Sequence, residues 1–274
     1  MPSLLSDQVI VVTGAARGIG QAIAQAVLEQ GGKLVALDLR WDEADPYYQE
    51  LNAHSRALPL SCDILSESQV AAALSATLQR FGAPTVLVNN AAMRQRDFFP
   101  ADGACAALDV TDAQWERMFS VNVVGQMRIT RAFVRPMIER KRGHVINISA
   151  KGGVGYAHDG ERWSMGPHLR LNQPYDASKA AFSNLSFYLA EELREHGVAV
   201  NVVFPGAIRT TGVDQMEEGR RKLGLHMKLG EPGEVVPVVL HLASQPGTAI
   251  TGCAYSSVAW NQKHAPAPVQ AQAA

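Results

Sequence analysis

This chain has little that suits it to holding a metal or crossing a membrane. It has three cysteines in 274 residues, Cys62, Cys105 and Cys253. They are too scattered for a metal-ligand spacing or a disulfide framework, and a reducing compartment follows as the expectation. No run approaches the ~20 apolar residues that a bilayer-spanning helix needs. The opening M-P-S-L-L-S-D-Q has no basic region followed by a long apolar run, so no secretory signal is read there. Excess charge is absent too. A net charge of −1 gives nucleic acid or an anionic membrane no electrostatic reason to bind. These absences predict a cytoplasmic protein that acts on a small molecule, with no metal, no nucleic acid and no membrane partner.

What is present is a well-filled α/β pattern. The chain is 47% hydrophobic and 19% charged, enough for a substantial core. Val9 to Thr13 is a β-branched run. It is followed by G-A-A-R-G-I-G and then an apolar-periodic segment from Gln21 to Gln30, which reads as strand, glycine loop and helix. Gly14, Gly18 and Gly20 let the backbone turn tightly and approach a pyrophosphate, while the N–H groups at the helix start hold negative charge. Lys33 to Leu37 is a second strand ending at Asp38, about 20 residues past the glycines. A carboxylate there accepts hydrogen bonds from the adenosine ribose and repels a 2′-phosphate, so NAD is expected over NADP. Arg17 in the loop and Arg40 beyond the strand weigh the other way.

Strand and helix keep alternating. A helix is expected over Tyr47 to Ala53 and a strand over Ala57 to Leu60, the latter leading to Asp63 and Ile64. A helix over Ser66 to Phe81, capped by Ser66, precedes a strand over Thr85 to Val88 that runs into N-N-A-A. A long helix from Val110 to Met137 leads to the strand H-V-I-N-I-S-A. This order predicts a doubly wound parallel sheet with helices on both faces. Gly14, Asp38, Asp63, Asn90 and Ser149 all fall at strand carboxyl ends, where ligands of such sheets bind. Tyr175 and Lys179 are four apart and share one face of the next helix. An ammonium beside a phenol favours the phenolate, which makes a proton exchanger.

Five segments in this order, T-G-A-A-R-G-I-G, N-N-A-A, V-N-V at Val121 to Val123, Y-D-A-S-K and N-V-V-F-P-G-A-I-R-T at Asn201 to Thr210, resemble the short-chain dehydrogenase/reductase family in its non-extended branch. The resemblance implies a single Rossmann-type domain with a seven-stranded parallel sheet, spanning residues 1–263 and usually assembled as a homotetramer or homodimer. It implies an NAD-dependent oxidoreductase that transfers a hydride between nicotinamide and a secondary alcohol or ketone. Tyr175 would be the acid/base, Lys179 would bind the nicotinamide ribose and lower the Tyr175 pKa, and Asn122 would hold a water in a relay with Lys179. The cofactor would be held by Gly14, Arg17, Gly18, Ile19, Gly20, Asp38, Asp63, Ile64, Asn90, Ala91, Tyr175, Lys179, Pro205, Gly206, Ile208 and Thr210.

The departures from the family are as informative. The family's catalytic serine follows the position of Ser149, where this chain has Ala150. Ser149 stands one residue early and can serve only where the strand end bulges or has already turned into loop; Ser164, His158 or His168 are the other candidates for the missing hydrogen bond. The segment 151–173 is a long insertion expected to roof the pocket. A second insertion near 93–107 carries Arg94 and Arg96, which can pair with a substrate carboxylate or stay solvated as loop arginines commonly do. Trp163, Phe98 and Phe99 suggest a roomy pocket for a cyclic or aromatic compound. Residues 211–224 read as a lid and 264–274 as a disordered tail. The rival reading is a dinucleotide-binding protein with weak or no catalysis, acting as a sensor or partner, and it draws on Ala150.

Overall fold

The computed structural model describes residues 4–99, 104–150, 156–158, 163–165, 172–210, 221–222, 224 and 228–264. The elements are β1 (Val9–Thr13), α1 (Gly18–Glu29), β2 (Lys33–Asp38), α2 (Pro46–Ala53), β3 (Ala57–Ser61), α3 (Glu67–Phe81), β4 (Val86–Asn89), α4 (Asp112–Phe119), α5 (Gln126–Glu139), β5 (Gly143–Ile148), β6 (Tyr156–His158), β7 (Trp163–Met165), α6 (Tyr175–Arg194), β8 (Val198–Phe204), α7 (Val236–Ser244), β9 (Ala254–Ser256) and α8 (Ser257–His264).

Seven strands form one sheet in the order β3-β2-β1-β4-β5-β8-β9, every pair parallel. The strands read as near-continuous apolar runs because helices cover both faces. Alternate side chains divide between two cores. Ile10, Val12, Leu34, Val88 and Ile146 pack with α1 and α7, while Val11, Val35, Leu87, Val145 and Val200 pack with α3, α5 and α6. Full burial of one such side chain stabilises by about 1.5–3 kcal/mol, so a charge on β1, β4 or β5 would be costly on either face.

The strand order reverses direction between β1 and β4. At such a switch point the connections leave to opposite sides and a crevice opens beyond the strand ends. The loops after β1 and β4 flank it, and they carry Gly14 and Asn90. Asn89 extends the register here: it lies opposite Asn147, its side-chain amide donating to the Asn147 Oδ1 and the Thr130 hydroxyl, both at 2.8 Å. Asn147 in turn donates to the Ser186 hydroxyl at 2.8 Å. This buried polar chain ties β4, β5, α5 and α6 together directly beneath the crevice.

Three sequence expectations are refined. The long helix is interrupted by a π-helical stretch at Ser120–Gly125 that contains Asn122. Such widened turns leave the regular i→i−4 ladder and frequently accompany functional sites. The chain after the last strand is not all tail: α8 carries it through His264, whose ring stacks on Trp260 at 4.1 Å. A short antiparallel hairpin, β6 with β7, lies within the long insertion. The lid expected at 211–224 falls mostly outside the described residues, and the tail from residue 265 wholly so. Among the described residues no helix is long and apolar enough to cross a membrane.

Candidate active site

A cleft of about 560 Å³ opens at the switch point, within the range of small-molecule sites. Its floor is the glycine loop. Gly14 and Gly18 have φ of +66° and +60°, left-handed values that favour glycine. Gly20 is required by space rather than by φ, because a Cβ there would sit 2.0 Å from the Gly14 carbonyl oxygen. The loop thus brings the start of α1 against the chain after β4. These are the conditions for close backbone approach to a phosphate and for N–H groups facing it. The Asp38 carboxylate lies beside this loop, its Oδ2 accepting from the Ala16 N–H at 2.9 Å. Gly14, Arg17, Gly18, Ile19, Asp38, Asp63, Ile64, Asn90 and Ala91 line the cleft together with Pro205, Gly206, Ile208 and Thr210. Gly20 shapes it from below. The set of residues fits a dinucleotide, with a turn open to phosphate at one point and a carboxylate at the ribose end.

Several expected site residues are structural fasteners as well. The Asn90 amide donates to the Thr13 and Gly14 carbonyl oxygens at 2.9 and 3.1 Å. The Thr13 hydroxyl accepts from the Asn90 and Ala91 N–H groups at 2.9 and 3.0 Å. Asp63 caps its own turn through the Leu65 N–H at 2.9 Å. Thr13 went unnoticed in the sequence, though a hydroxyl at a strand end just before the glycine turn is a usable signal. Gln126 also went unnoticed. Four residues after Asn122, on the same helical face, it donates to the Ala91 carbonyl oxygen.

Tyr175 and Lys179 open α6 at the inner end of the same cleft. Tyr175 is half-buried. Burial first, then the adjacent Asp176 carboxylate, pushes its phenol above the ordinary tyrosine range; Arg94 opposes that rise and Asp97 adds to it. Lys179 is 2% exposed and donates from Nζ to the Ile148 carbonyl oxygen at 2.9 Å. Burial lowers its pKa to about 8. Burial thus sets the direction for both groups, raising the Tyr175 phenol and lowering the Lys179 ammonium.

Two further expectations change in detail. The Asn122 side chain is fully occupied. Its oxygen accepts from the Met93 N–H at 2.8 Å, and its amide donates to the Met93 carbonyl oxygen and the Ser178 hydroxyl, both at 2.9 Å. It pins the chain after N-N-A-A to α6 and is not directed at Lys179. The Ser149 hydroxyl turns into the seam between β5 and α6, donating to the Lys179 carbonyl oxygen at 3.1 Å and meeting the Ser183 hydroxyl at 2.7 Å. Ser149 lies just past the end of β5 and lines the cleft, with its hydroxyl engaged in these bonds. Of the other candidates, His168 lies outside the described residues. His158 and Ser164 lie on β6 and β7, of which only the backbone is described.

The model of the short-chain dehydrogenases matches residues 8–221 of this chain. The chain belongs to the short-chain dehydrogenase family. Among its relatives, fluoren-9-ol dehydrogenase of Terrabacter sp. (strain DBF63) is 38% identical over 262 residues, covering 95% of this chain and 73% of that one. Galactitol 2-dehydrogenase of Rhizobium johnstonii is 32% identical over 262 residues, covering 90% and 92%. A crystal structure of a short-chain type dehydrogenase/reductase from Mycobacterium marinum superposes with a TM-score of 0.74 at 25% identity, over 92% of this chain and 94% of that one. Membership in the short-chain dehydrogenases makes the protein an oxidoreductase of alcohols or ketones that uses a nicotinamide cofactor.

Proposed function

We propose that this protein is an NAD-dependent oxidoreductase that moves a hydride between nicotinamide and a secondary alcohol or ketone, with Tyr175 exchanging the substrate proton. The observation that carries the reading is the arrangement of Tyr175 and Lys179 on the first turn of α6, lining the same cleft as the glycine loop. When bound, the cofactor supplies the hydride chemistry. The chain's task is to hold the dinucleotide, set a substrate oxygen against the Tyr175 hydroxyl and manage one proton. Lys179 would hold the nicotinamide ribose. The Asn122 side chain, bonded to Met93 and Ser178, would brace the start of α6 that carries Tyr175. Asp38 supports NAD: a carboxylate fixed at the end of β2 attracts ribose hydroxyls and repels a 2′-phosphate.

A cyclic or aromatic substrate is part of the proposal. It is supported by the name of the fluoren-9-ol dehydrogenase relative; Phe98 and Phe99 pair with each other, edge-on at 6.2 Å, beside the cleft-lining Asp97. So is a single catalytic domain through residue 263, working in the cytoplasm as a homodimer or homotetramer. Val124 and Tyr188, 52% and 70% exposed, leave apolar surface uncovered beside α5 and on α6, and sedimentation analysis would show whether a second copy covers it. The rival reading, a dinucleotide-binding protein with weak or no catalysis, draws on Ala150 and on the Ser149 hydroxyl's engagement with the Lys179 carbonyl and Ser183. One assay separates the two. With NAD and a panel of secondary alcohols, absorbance of the reduced cofactor reports turnover, and Tyr175→Phe should lower kcat/KM at least ~10²-fold. Near wild-type turnover by that variant would remove Tyr175 from the mechanism.

A further inference from the structure

The charges on the substrate side of the cleft are unbalanced. Arg94, Arg96 and Asp97 share one short turn, the 3-10 segment Gln95–Asp97 and its leading residue. Asp97 is already committed. Its Oδ2 accepts from the Arg94 main-chain N–H at 2.6 Å, closing the turn, and its Oδ1 gives the Arg94 guanidinium one long contact at 3.4 Å. Among the described residues, Arg94 Nε and Arg96 Nη1 are buried without a hydrogen-bond partner. A guanidinium keeps its proton throughout the working pH range, so these donors call for an acceptor that the described residues do not supply. Burial first, then the positive charge of Arg94, destabilises the Arg96 cation; Asp97 opposes this and Arg17 adds to it.

This turn is held in place. Gln95 is 2% exposed and its amide donates to the Gln173 carbonyl oxygen at 2.6 Å. Met93, just before it, is bonded through both main-chain groups to Asn122. Arg94 therefore presents its guanidinium from a fixed backbone in the same cleft wall as Tyr175. We propose that Arg94, backed by Arg96, binds a carboxylate carried by the substrate beside its carbinol carbon. This deepens the oxidoreductase reading and rests on it. A planar guanidinium matches a carboxylate with two parallel N–H bonds, and such a contact fixes the substrate's orientation as well as its affinity. The cofactor phosphates are the other source of an oxyanion. The substrate is favoured because the glycine loop is shaped for phosphate, while Arg94 lines the same cleft as the Tyr175 phenol.

The test is calorimetric titration of the NAD-loaded protein with two matched pairs, acetate against acetamide and benzoate against benzamide. The carboxylate of each pair should bind at least about tenfold more tightly than its amide, and Arg94→Gln should abolish that preference while Arg94→Lys keeps part of it. Equal affinity for carboxylate and amide in the wild-type protein overturns the anion site, and needs no variant to fold. Loss of NAD affinity in Arg94→Gln, without a carboxylate preference in the wild type, reassigns the arginines to the cofactor phosphates and also overturns it. Failure of the wild-type protein to bind NAD overturns the proposed NAD preference instead, and the same titrations with the NADP-loaded protein then decide the carboxylate site.

Discussion

Burial of Lys179 should make the stability of the cofactor-free protein depend on pH in a defined direction. The ammonium lies 2% exposed, and burial lowers its pKa from the ordinary 10.5 to about 8. Below pH 8 the folded and unfolded chains both carry the proton, and folding bears the full cost of burying the cation. Between 8 and 10.5 the folded chain has released its proton while the unfolded chain retains it. Stability therefore rises with pH across that window, by about 3 kcal/mol in all. Tyr175 and Cys62 act in the opposite sense at the alkaline end, because burial raises both and each favours the neutral folded form. The comparison that isolates Lys179 is therefore the wild type against Lys179→Met, which keeps an unbranched apolar side chain. Urea unfolding followed by circular dichroism at about pH 7, 8, 9 and 10 gives each stability. Between pH 8 and 10 the difference should move in favour of the wild type by about 2 kcal/mol. A difference that stays flat across the window would refute the reasoning, because the lysine would then be ionised alike in both states.

Two other changes probe the cleft. Asp38→Asn removes the negative charge that faces the adenosine ribose while keeping an acceptor for the Ala16 N–H; the ratio of kcat/KM with NADP to that with NAD should rise at least about tenfold, checked by initial rates with both cofactors. Ser149→Ala removes a hydroxyl that bridges the Lys179 carbonyl and Ser183, so it should cost about 1 kcal/mol of unfolding free energy in urea melts while kcat stays within about tenfold of wild type, and a far larger loss in kcat would return Ser149 to the catalytic group.

The parts of the fold that are local in sequence were legible. β1, with its uninterrupted Val-Ile-Val-Val, begins and ends where the residues predict, because a parallel strand covered on both faces has no use for polar alternation. Ser66 caps α3 as expected, accepting from the Gln69 N–H at 3.4 Å. The offset of Ser149 was legible as a problem, since strand period fixes which face a side chain takes. Its outcome was not, because the Ser183 hydroxyl that captures it lies 34 residues away. The same holds for Asn122, whose type marked it for a site but whose partners are Met93 and, 56 residues on, Ser178. The burial that raises the Tyr175 phenol and lowers the Lys179 ammonium was equally hidden. Spacing shows that two side chains share a helical face, but only packing shows how dry that face is.

The bond from Gln95 to the carbonyl of Gln173, two residues before Tyr175, joins the loop that carries Arg94 to the entry of the catalytic helix. The bridge between Cys105 and Asn172 adds a second stitch between the same two segments. Selectivity and proton transfer are consequently not separable modules in this molecule. Grafting the 93–107 segment from a relative, with the aim of changing the substrate, would also loosen the platform that aims the phenol. A library confined to the outward side chains of that segment, with Gln95 and Asn172 kept, would vary one function while holding the other still.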